Sequence, residues 1–127
     1  PHHALFNMEK ENTYLKMNPP LRDEEDRAFV FSSLLSGDID WVESDHAPHT
    51  KEDKEKGKCG IPGFKGTLLL LDALRENGMS EANLERIFNT NAAHTFGIDI
   101  SPLPLPTNTK EREEIVGSRY PFDPYAL

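Results

Sequence analysis

The densest group of reactive side chains in this sequence lies at residues 44–49, which read Ser-Asp-His-Ala-Pro-His. The group places one carboxylate, Asp45, beside two imidazoles, His46 and His49, and a proline stiffens the backbone between them. A carboxylate in such a setting can bind a metal ion or accept a proton from a metal-bound water. An isolated Asp-His pair, however, is more often an exposed turn whose side chains do no chemistry. The residue types alone therefore leave both interpretations open.

A short apolar segment leads into this group and predicts the element that positions it. Residues 39–42 (Ile-Asp-Trp-Val) alternate in part between apolar and polar side chains, which favours a strand that ends just before Asp45. Helices are predicted at 24–35, where an acidic first turn follows Asp23, and at 65–75, which is rich in leucine. Helix, strand, loop and helix in this order are typical of an α/β fold, in which catalytic groups lie at strand ends.

The remaining segments carry weaker signals. Residues 13–17 are a short candidate for extended structure, and Ser80 is a candidate cap for a third helix. Residues 50–63 are dense in charge and glycine, which predicts a mobile surface loop that could act as a lid over a substrate. The proline-rich tail, residues 98–127, is predicted to be extended and to pack its aromatic side chains on a neighbouring surface.

Composition limits the classes of function. The chain has 127 residues, whereas a complete (β/α)8 barrel needs roughly 200 or more, so any barrel is expected to be present only in part. Asp and Glu number 22 against 14 Lys and Arg, which argues against a nucleic-acid or anionic-membrane partner. The single cysteine, Cys59, allows no internal disulfide and favours a cytoplasmic location. The first residue is not methionine, so the sequence is expected to begin inside a longer protein.

Four segments, in order along the chain, resemble the dihydroorotases, which are cyclic amidohydrolases of pyrimidine biosynthesis built on a metal-bearing TIM barrel. They are residues 1–3 (Pro-His-His), residues 16–22 (Lys-Met-Asn-Pro-Pro-Leu-Arg), residues 44–49 with Lys54, and residues 60–64 (Gly-Ile-Pro-Gly-Phe). Residues 89–97 are similar to a late helix of the family, although the usual Asn-Pro-Ala is Asn-Ala-Ala here. The resemblance implies that residues 1–97 form the C-terminal part of a (β/α)8 barrel, about strands 7–8 and the following helices. Residues 98–127 would form a separate extended tail.

The resemblance also assigns roles to individual residues. Asp45 would be the strand-eight carboxylate that binds the metal and acts as general base toward the attacking water. Asn18 and His49 would contact the carboxylate and ring amide of the substrate, and an asparagine suits this task because it offers both a donor and an acceptor. The backbone of Pro62 and Gly63 would line the same pocket, since glycine has no side chain to obstruct a ligand.

The implied cofactor is zinc, as one or two ions whose other ligands lie outside this chain. The family's His-x-His pair does not occur here, and its bridging carboxylate and further histidines cannot be located. The adjacent His2 and His3 look like a ligand pair, but the resemblance assigns them no metal role. Because a zinc site needs three or four converging ligands, Asp45 alone would bind zinc weakly, and this chain by itself is expected to be inactive.

The implied activity is the reversible cyclisation of N-carbamoyl-L-aspartate to L-dihydroorotate and water. The implied partners are this small-molecule substrate, the N-terminal remainder of the barrel, and either a second copy of the chain or aspartate transcarbamoylase. Two alternatives stay open. One is a non-catalytic homologue that serves as a structural partner of aspartate transcarbamoylase, which Glu43 would suit because the family carries a small residue at that position. The other is a related cyclic amidohydrolase, such as a hydantoinase or an allantoinase.

Overall fold

The computed structural model describes residues 1–7, 12–99, 104–107 and 109–126, and within them the chain is helical. Seven α-helices follow one another there: α1 (His2–Leu5), α2 (Glu24–Ser36), α3 (Lys51–Glu55), α4 (Phe64–Glu76), α5 (Glu81–Glu85), α6 (Asn91–Phe96) and α7 (Thr109–Gly117). A π-helical turn at Arg86–Thr90 joins α5 to α6, and 3-10 turns lie at Thr13–Leu15 and Pro124–Ala126. None of the helices in the described ranges is long and apolar enough to cross a membrane.

Helix α2 confirms the first predicted helix. Asp23 caps it by accepting a hydrogen bond from the backbone N–H of Asp26 at 3.0 Å, and the acidic first turn faces the positive end of the helix dipole. Gly37 ends the helix with a φ of 87°, a left-handed conformation that glycine adopts without strain. Both ends of α2 are therefore set by residues that are its neighbours in sequence.

Helix α4 carries the centre of the main hydrophobic core. Its leucines Leu70, Leu71 and Leu74 are almost completely buried, which confirms the leucine-rich helix predicted at residues 65–75. They cluster with Ala4, Leu34, Leu84 and Ile87. A second, smaller cluster gathers Leu15, Met17, Leu21 and Ile61. This second cluster matters for the site, because it packs two of the recognised motifs, residues 16–22 and 60–64, against each other.

The strand predicted at residues 39–42 is wrong, since this segment is irregular in the structure. The Val42 N–H donates to the carbonyl oxygen of Ile87 at 2.8 Å, so the segment is bonded to the π-helical turn and not to a strand. A strand needs a neighbouring strand for its backbone hydrogen bonds, and none occurs in the described part of the chain. These residues therefore do not by themselves form the α/β layers that the resemblance implies.

The predictions for residues 13–17 and 50–63 are also corrected. Residues 13–15 form a 3-10 turn and not an extended segment. Residues 51–55 form helix α3, which begins where the Thr50 Oγ1 accepts the Asp53 N–H at 3.1 Å. Within α3, Lys54 has no exposed surface at all, so the charged run is not solvated throughout. A short capped helix with a buried lysine replaces much of the expected mobile loop.

The tail differs from the expected extended chain. Residues 109–117 form helix α7, which packs against α4, and the Thr109 hydroxyl donates to the Asp72 carboxylate. The tail aromatics do contact the rest of the protein, as in the edge-on contact between Phe122 and Tyr14, whose ring centres lie 5.3 Å apart. Residues 100–103, 108 and 127 of the predicted tail lie outside the described residues.

Candidate active site around Asp45

Asp45 lies in the irregular segment between α2 and α3. Its φ of 46° is left-handed, a conformation that aspartate adopts more readily than most residues because its short polar side chain can bond locally. The side chain is 58% exposed, so the carboxylate is open to a ligand. An uncommon backbone conformation at an exposed carboxylate indicates that its surroundings hold it in place.

The surroundings that hold Asp45 come first from the segment 60–64. Gly63 packs so closely on the backbone before Asp45 that a Cβ there would collide with the carbonyl oxygen of Ser44. The Gly63 N–H donates to Nδ1 of His46 at 3.0 Å, and the Ala47 N–H donates to the carbonyl oxygen of Ile61 at 3.0 Å. Two of the recognised motifs are thus joined directly, and the join requires glycine at position 63.

Gly63→Ala is expected to destabilise the protein by roughly 1–3 kcal/mol, the usual cost of overpacking. The φ of −106° at Gly63 suits alanine, so the cost comes from the collision with Ser44, whose backbone cannot rotate away as a side chain could. Urea unfolding measures the loss. Ser32→Ala, an exposed change in α2, serves as the control. Equal unfolding midpoints for the two variants would show that this close approach is not present.

His46 is partly buried and connects other groups of the protein. Its ring stacks on Phe64 with centres 3.8 Å apart, and its Nδ1 accepts from Gly63, so its proton lies on Nε2. That Nε2 lies 2.9 Å from the hydroxyl of Tyr120 in the tail. Burial lowers the pKa of His46 and favours this neutral form. Both ring nitrogens are therefore engaged within the protein.

His2 is the residue that sequence reasoning missed. Its Nε2 lies 3.3 Å from the backbone oxygen of Asp45 and 4.0 Å from the Asp45 Oδ2, and its Nδ1 lies 2.9 Å from the hydroxyl of Tyr125. Burial is the main cause that lowers the pKa of His2 to about 4, so the ring is neutral. The only signal in the sequence was the resemblance of residues 1–3 to a family segment. The structure makes His2 the imidazole in contact with Asp45.

Lys54 connects residues 16–22 to residues 58–60 through buried hydrogen bonds. Its completely buried ammonium donates to the carbonyl oxygens of Lys16 at 2.6 Å, Lys58 at 3.0 Å and Gly60 at 2.9 Å. These three acceptors match the three N–H bonds of an ammonium. The Gly60 N–H also donates to the carbonyl oxygen of Lys16 at 3.0 Å. One lysine thereby fixes both the segment that leads to Asn18 and the loop that leads to Pro62.

The predicted substrate-binding side chains Asn18 and His49 lie next to the segments that Lys54 connects. Asn18 is exposed, two residues after Lys16, and its peptide bond to Pro19 is cis. The His49 Nε2 donates to the carbonyl oxygen of Cys59 at 2.9 Å, and its Nδ1 lies 3.9 Å from the Asp53 carboxylate. In this geometry a neutral His49 has no second N–H, so a bond to a substrate carboxylate requires the imidazolium form.

Pro62 and Gly63 are both buried. The backbone groups of Gly63 are used inside the protein, since its N–H binds His46 and its carbonyl oxygen accepts from the Thr67 N–H at 3.0 Å and the Thr67 hydroxyl at 3.2 Å. In this structure Gly63 supports the backbone at Asp45, and its polar groups do not point into open space.

A zinc site needs three or four converging ligands, and the residues around Asp45 do not supply them. His2 is the imidazole beside this carboxylate, and both of its ring nitrogens have hydrogen-bond partners. Among the described residues no group of three or more His, Cys, Asp or Glu side chains is placed to hold a metal ion. The Glu43 carboxylate accepts from the indole N–H of Trp41 at 3.0 Å and belongs to no such group. The described side chains therefore do not fit a zinc ion on their own.

Comparison with known proteins gives one consistent family. No protein-family model matches the chain. The chain is 41% identical over 101 residues to a dihydroorotase from Pyrococcus horikoshii, which covers 77% of this chain and 24% of that protein. It is 38% identical over 109 residues to a dihydroorotase from Lactobacillus gasseri, covering 78% of this chain and 26% of that protein. A dihydroorotase from Lactobacillus acidophilus is 49% identical over 63 residues, covering 47% of this chain and 15% of that protein.

The chain thus spans about a quarter of the length of the first two curated relatives that it matches. The matched stretches nonetheless extend over more than three quarters of this chain in the same two relatives. The resemblance read from the four motifs is therefore confirmed, and the chain is a partial-length homologue of the dihydroorotases.

Proposed function

We propose that the protein to which this sequence belongs is a dihydroorotase, which interconverts L-dihydroorotate and N-carbamoyl-L-aspartate. The proposal rests on the agreement of two observations. The chain resembles curated dihydroorotases over most of its length. The four motifs behind that resemblance, residues 1–3, 16–22, 44–49 and 60–64, are also linked by hydrogen bonds around an exposed carboxylate.

In the proposed reaction Asp45 is the general base. In the hydrolytic direction its carboxylate takes a proton from the attacking water while the water oxygen bonds to the ring amide carbon. The carbon–nitrogen bond then breaks, and the same carboxyl group returns the proton to the leaving nitrogen. The exposure of Asp45 supports this role, because the carboxylate can reach a ligand without rearrangement of the core.

Substrate recognition is proposed for Asn18, His49, Pro62 and Gly63. Asn18 is the best placed of these, because its side chain is exposed and carries both an amide donor and an acceptor. His49 is proposed to bind the substrate carboxylate through Nδ1, because its Nε2 is used by the Cys59 carbonyl oxygen. Pro62 and Gly63 are proposed to shape the pocket wall by packing.

The remainder of the site is proposed to come from residues outside this chain. Residues 1–97 would then be the C-terminal part of a (β/α)8 barrel, in which residues 39–42 find the strand neighbours that they need, and 98–127 would be a tail. Zinc would be bound by Asp45 together with ligands from the N-terminal remainder. Association with a second copy or with aspartate transcarbamoylase, and a cytoplasmic location, stay predictions.

Asn18→Ala in the full-length protein is expected to raise KM for L-dihydroorotate by about 10- to 100-fold, with a smaller change in kcat. The reason is that a hydrogen bond to a charged group is worth roughly 1.5–3 kcal/mol, and each 1.4 kcal/mol is a factor of about ten. Steady-state kinetics measures both constants. Asn83→Ala, an exposed change on α5, is the matched control and should leave KM unchanged. An unchanged KM in Asn18→Ala would remove Asn18 from the binding site.

A further inference from the structure

The tail reaches both imidazoles that flank Asp45. Tyr120 places its hydroxyl 2.9 Å from Nε2 of His46, the residue that follows Asp45. Tyr125 places its hydroxyl 2.9 Å from Nδ1 of His2, whose other nitrogen lies 3.3 Å from the backbone oxygen of Asp45. Two tyrosines from one short segment thus bind the two rings that contact or adjoin the proposed base.

The segment that carries these tyrosines is anchored by two residues that lie between them. Phe122 is 8% exposed and packs on Tyr14, and the Asp123 carboxylate pairs with Lys65 on α4. The other oxygen of Asp123 accepts the Tyr125 N–H at 3.0 Å. These contacts leave the tail little freedom to withdraw the two phenols.

Tyr125 itself lies in a close-fitting slot. Its ring stacks on Phe6 with centres 5.1 Å apart, and it lies so near Gly66 on α4 that a Cβ there would collide with the phenol. Burial raises the pKa of Tyr125, so its hydroxyl keeps its proton and can donate. A slot shaped by a glycine and an aromatic ring indicates a fixed position for this hydroxyl.

The hydrogen-bond directions in this arrangement are determined by the partners. A carbonyl oxygen only accepts, so the Nε2 of His2 must carry the proton that it gives to Asp45, and its Nδ1 must accept from Tyr125. The Nδ1 of His46 accepts from Gly63, so its Nε2–H donates to the oxygen of Tyr120. Both imidazoles are therefore held as the Nε2–H tautomer.

We propose that Tyr120 and Tyr125 are positioning residues, whose hydroxyls fix the ring orientations of His46 and His2 and thereby hold Asp45 in its left-handed conformation. Neither tyrosine needs to contact the substrate. The kinetic consequence rests on the proposed function, whereas the hydrogen bonds to the two rings do not. The tail would then be a structural part of the proposed active site.

The test uses Tyr120→Phe and Tyr125→Phe in the full-length protein, because phenylalanine keeps the ring packing and removes only the hydroxyl. Each variant is expected to lower kcat by about 2- to 10-fold, the range for loss of one neutral hydrogen bond, while KM changes by less than about twofold. Tyr14→Phe is the matched control, since its hydroxyl donates to the exposed Glu55 carboxylate at 3.2 Å. A wild-type kcat in both tail variants would overturn the proposal.

Nitrogen-15 NMR of labelled histidine provides a second measurement that needs no activity. The wild-type protein should show the Nε2–H tautomer for both His2 and His46. In Tyr125→Phe the Nδ1 resonance of His2 should move downfield, because that nitrogen loses its donor. Unchanged His2 and His46 resonances in the two variants would overturn the positioning role. An absence of dihydroorotase activity in the wild type, with the resonance shifts present, would instead count against the proposed function.

Discussion

Asp45→Asn in the full-length protein is expected to lower kcat by roughly 10²- to 10⁴-fold, the contribution of a positioned general base. Asparagine keeps the shape of the side chain but does not accept a proton as a carboxylate does. Because the Asp45 side chain is largely exposed, the free energy of unfolding of the variant should stay within about 0.5 kcal/mol of the wild-type value. Steady-state rates together with thermal unfolding separate a loss of chemistry from a loss of fold.

Glu43→Gln is the matched control for this prediction. It removes an exposed carboxylate charge two residues from Asp45, at a side chain that accepts a hydrogen bond from the Trp41 indole. We expect activity close to wild type. Near-normal turnover by Asp45→Asn, or an equal loss in both variants, would contradict the assignment of the base.

Lys54→Met is expected to give the largest loss of stability among single substitutions in the described site, about 3 kcal/mol or more. Methionine has a similar length but no donors, so three buried carbonyl oxygens lose their partner, each at a cost of roughly 1–3 kcal/mol unless water enters. The loss should appear as a lower urea midpoint for unfolding. The surviving folded fraction should also bind substrate more weakly, because Lys54 holds the segment that leads to Asn18 and the loop whose Cys59 carbonyl oxygen accepts from His49.

Lys56→Met is the control for the buried lysine. Lys56 lies on the exposed end of the same segment, where its side chain is 64% exposed and pairs with Glu52. An exposed pair of this kind contributes about 0–1 kcal/mol, so the urea midpoint should barely move. If the two lysine variants lost the same stability, Lys54 would not be the buried tie that the geometry describes.

The helices could be predicted from sequence because their signals are local. Asp23 and Gly37 bound α2 within a few residues of its ends, and the leucines of α4 show its buried face directly. Helix α7 could also have been found, since residues 110–114 (Lys-Glu-Arg-Glu-Glu) are all good helix formers, but the nearby prolines drew the prediction toward an extended tail.

The irregular conformation of residues 39–42 and the burial of Lys54 could not be predicted, because both depend on contacts between residues far apart in sequence. Residues 39–42 have strand-like alternation, but pairing depends on neighbours that no local pattern reveals. The burial of Lys54 depends on the carbonyl of Lys16, 38 positions earlier, and the contact of His2 with Asp45 spans 43 positions. Residue types and the family resemblance made Asp45 the candidate base, and only the fold shows which groups surround it.

The most direct test of the central claim is the rate at which the full-length protein, supplied with zinc, converts L-dihydroorotate to N-carbamoyl-L-aspartate. We expect turnover in the ordinary enzymatic range, about 1–10³ per second, with hydantoin and allantoin converted far more slowly. Turnover of hydantoin or allantoin without turnover of dihydroorotate would contradict the proposed substrate. No turnover of any of the three by a folded, zinc-loaded protein would contradict the claim that this sequence belongs to an active dihydroorotase.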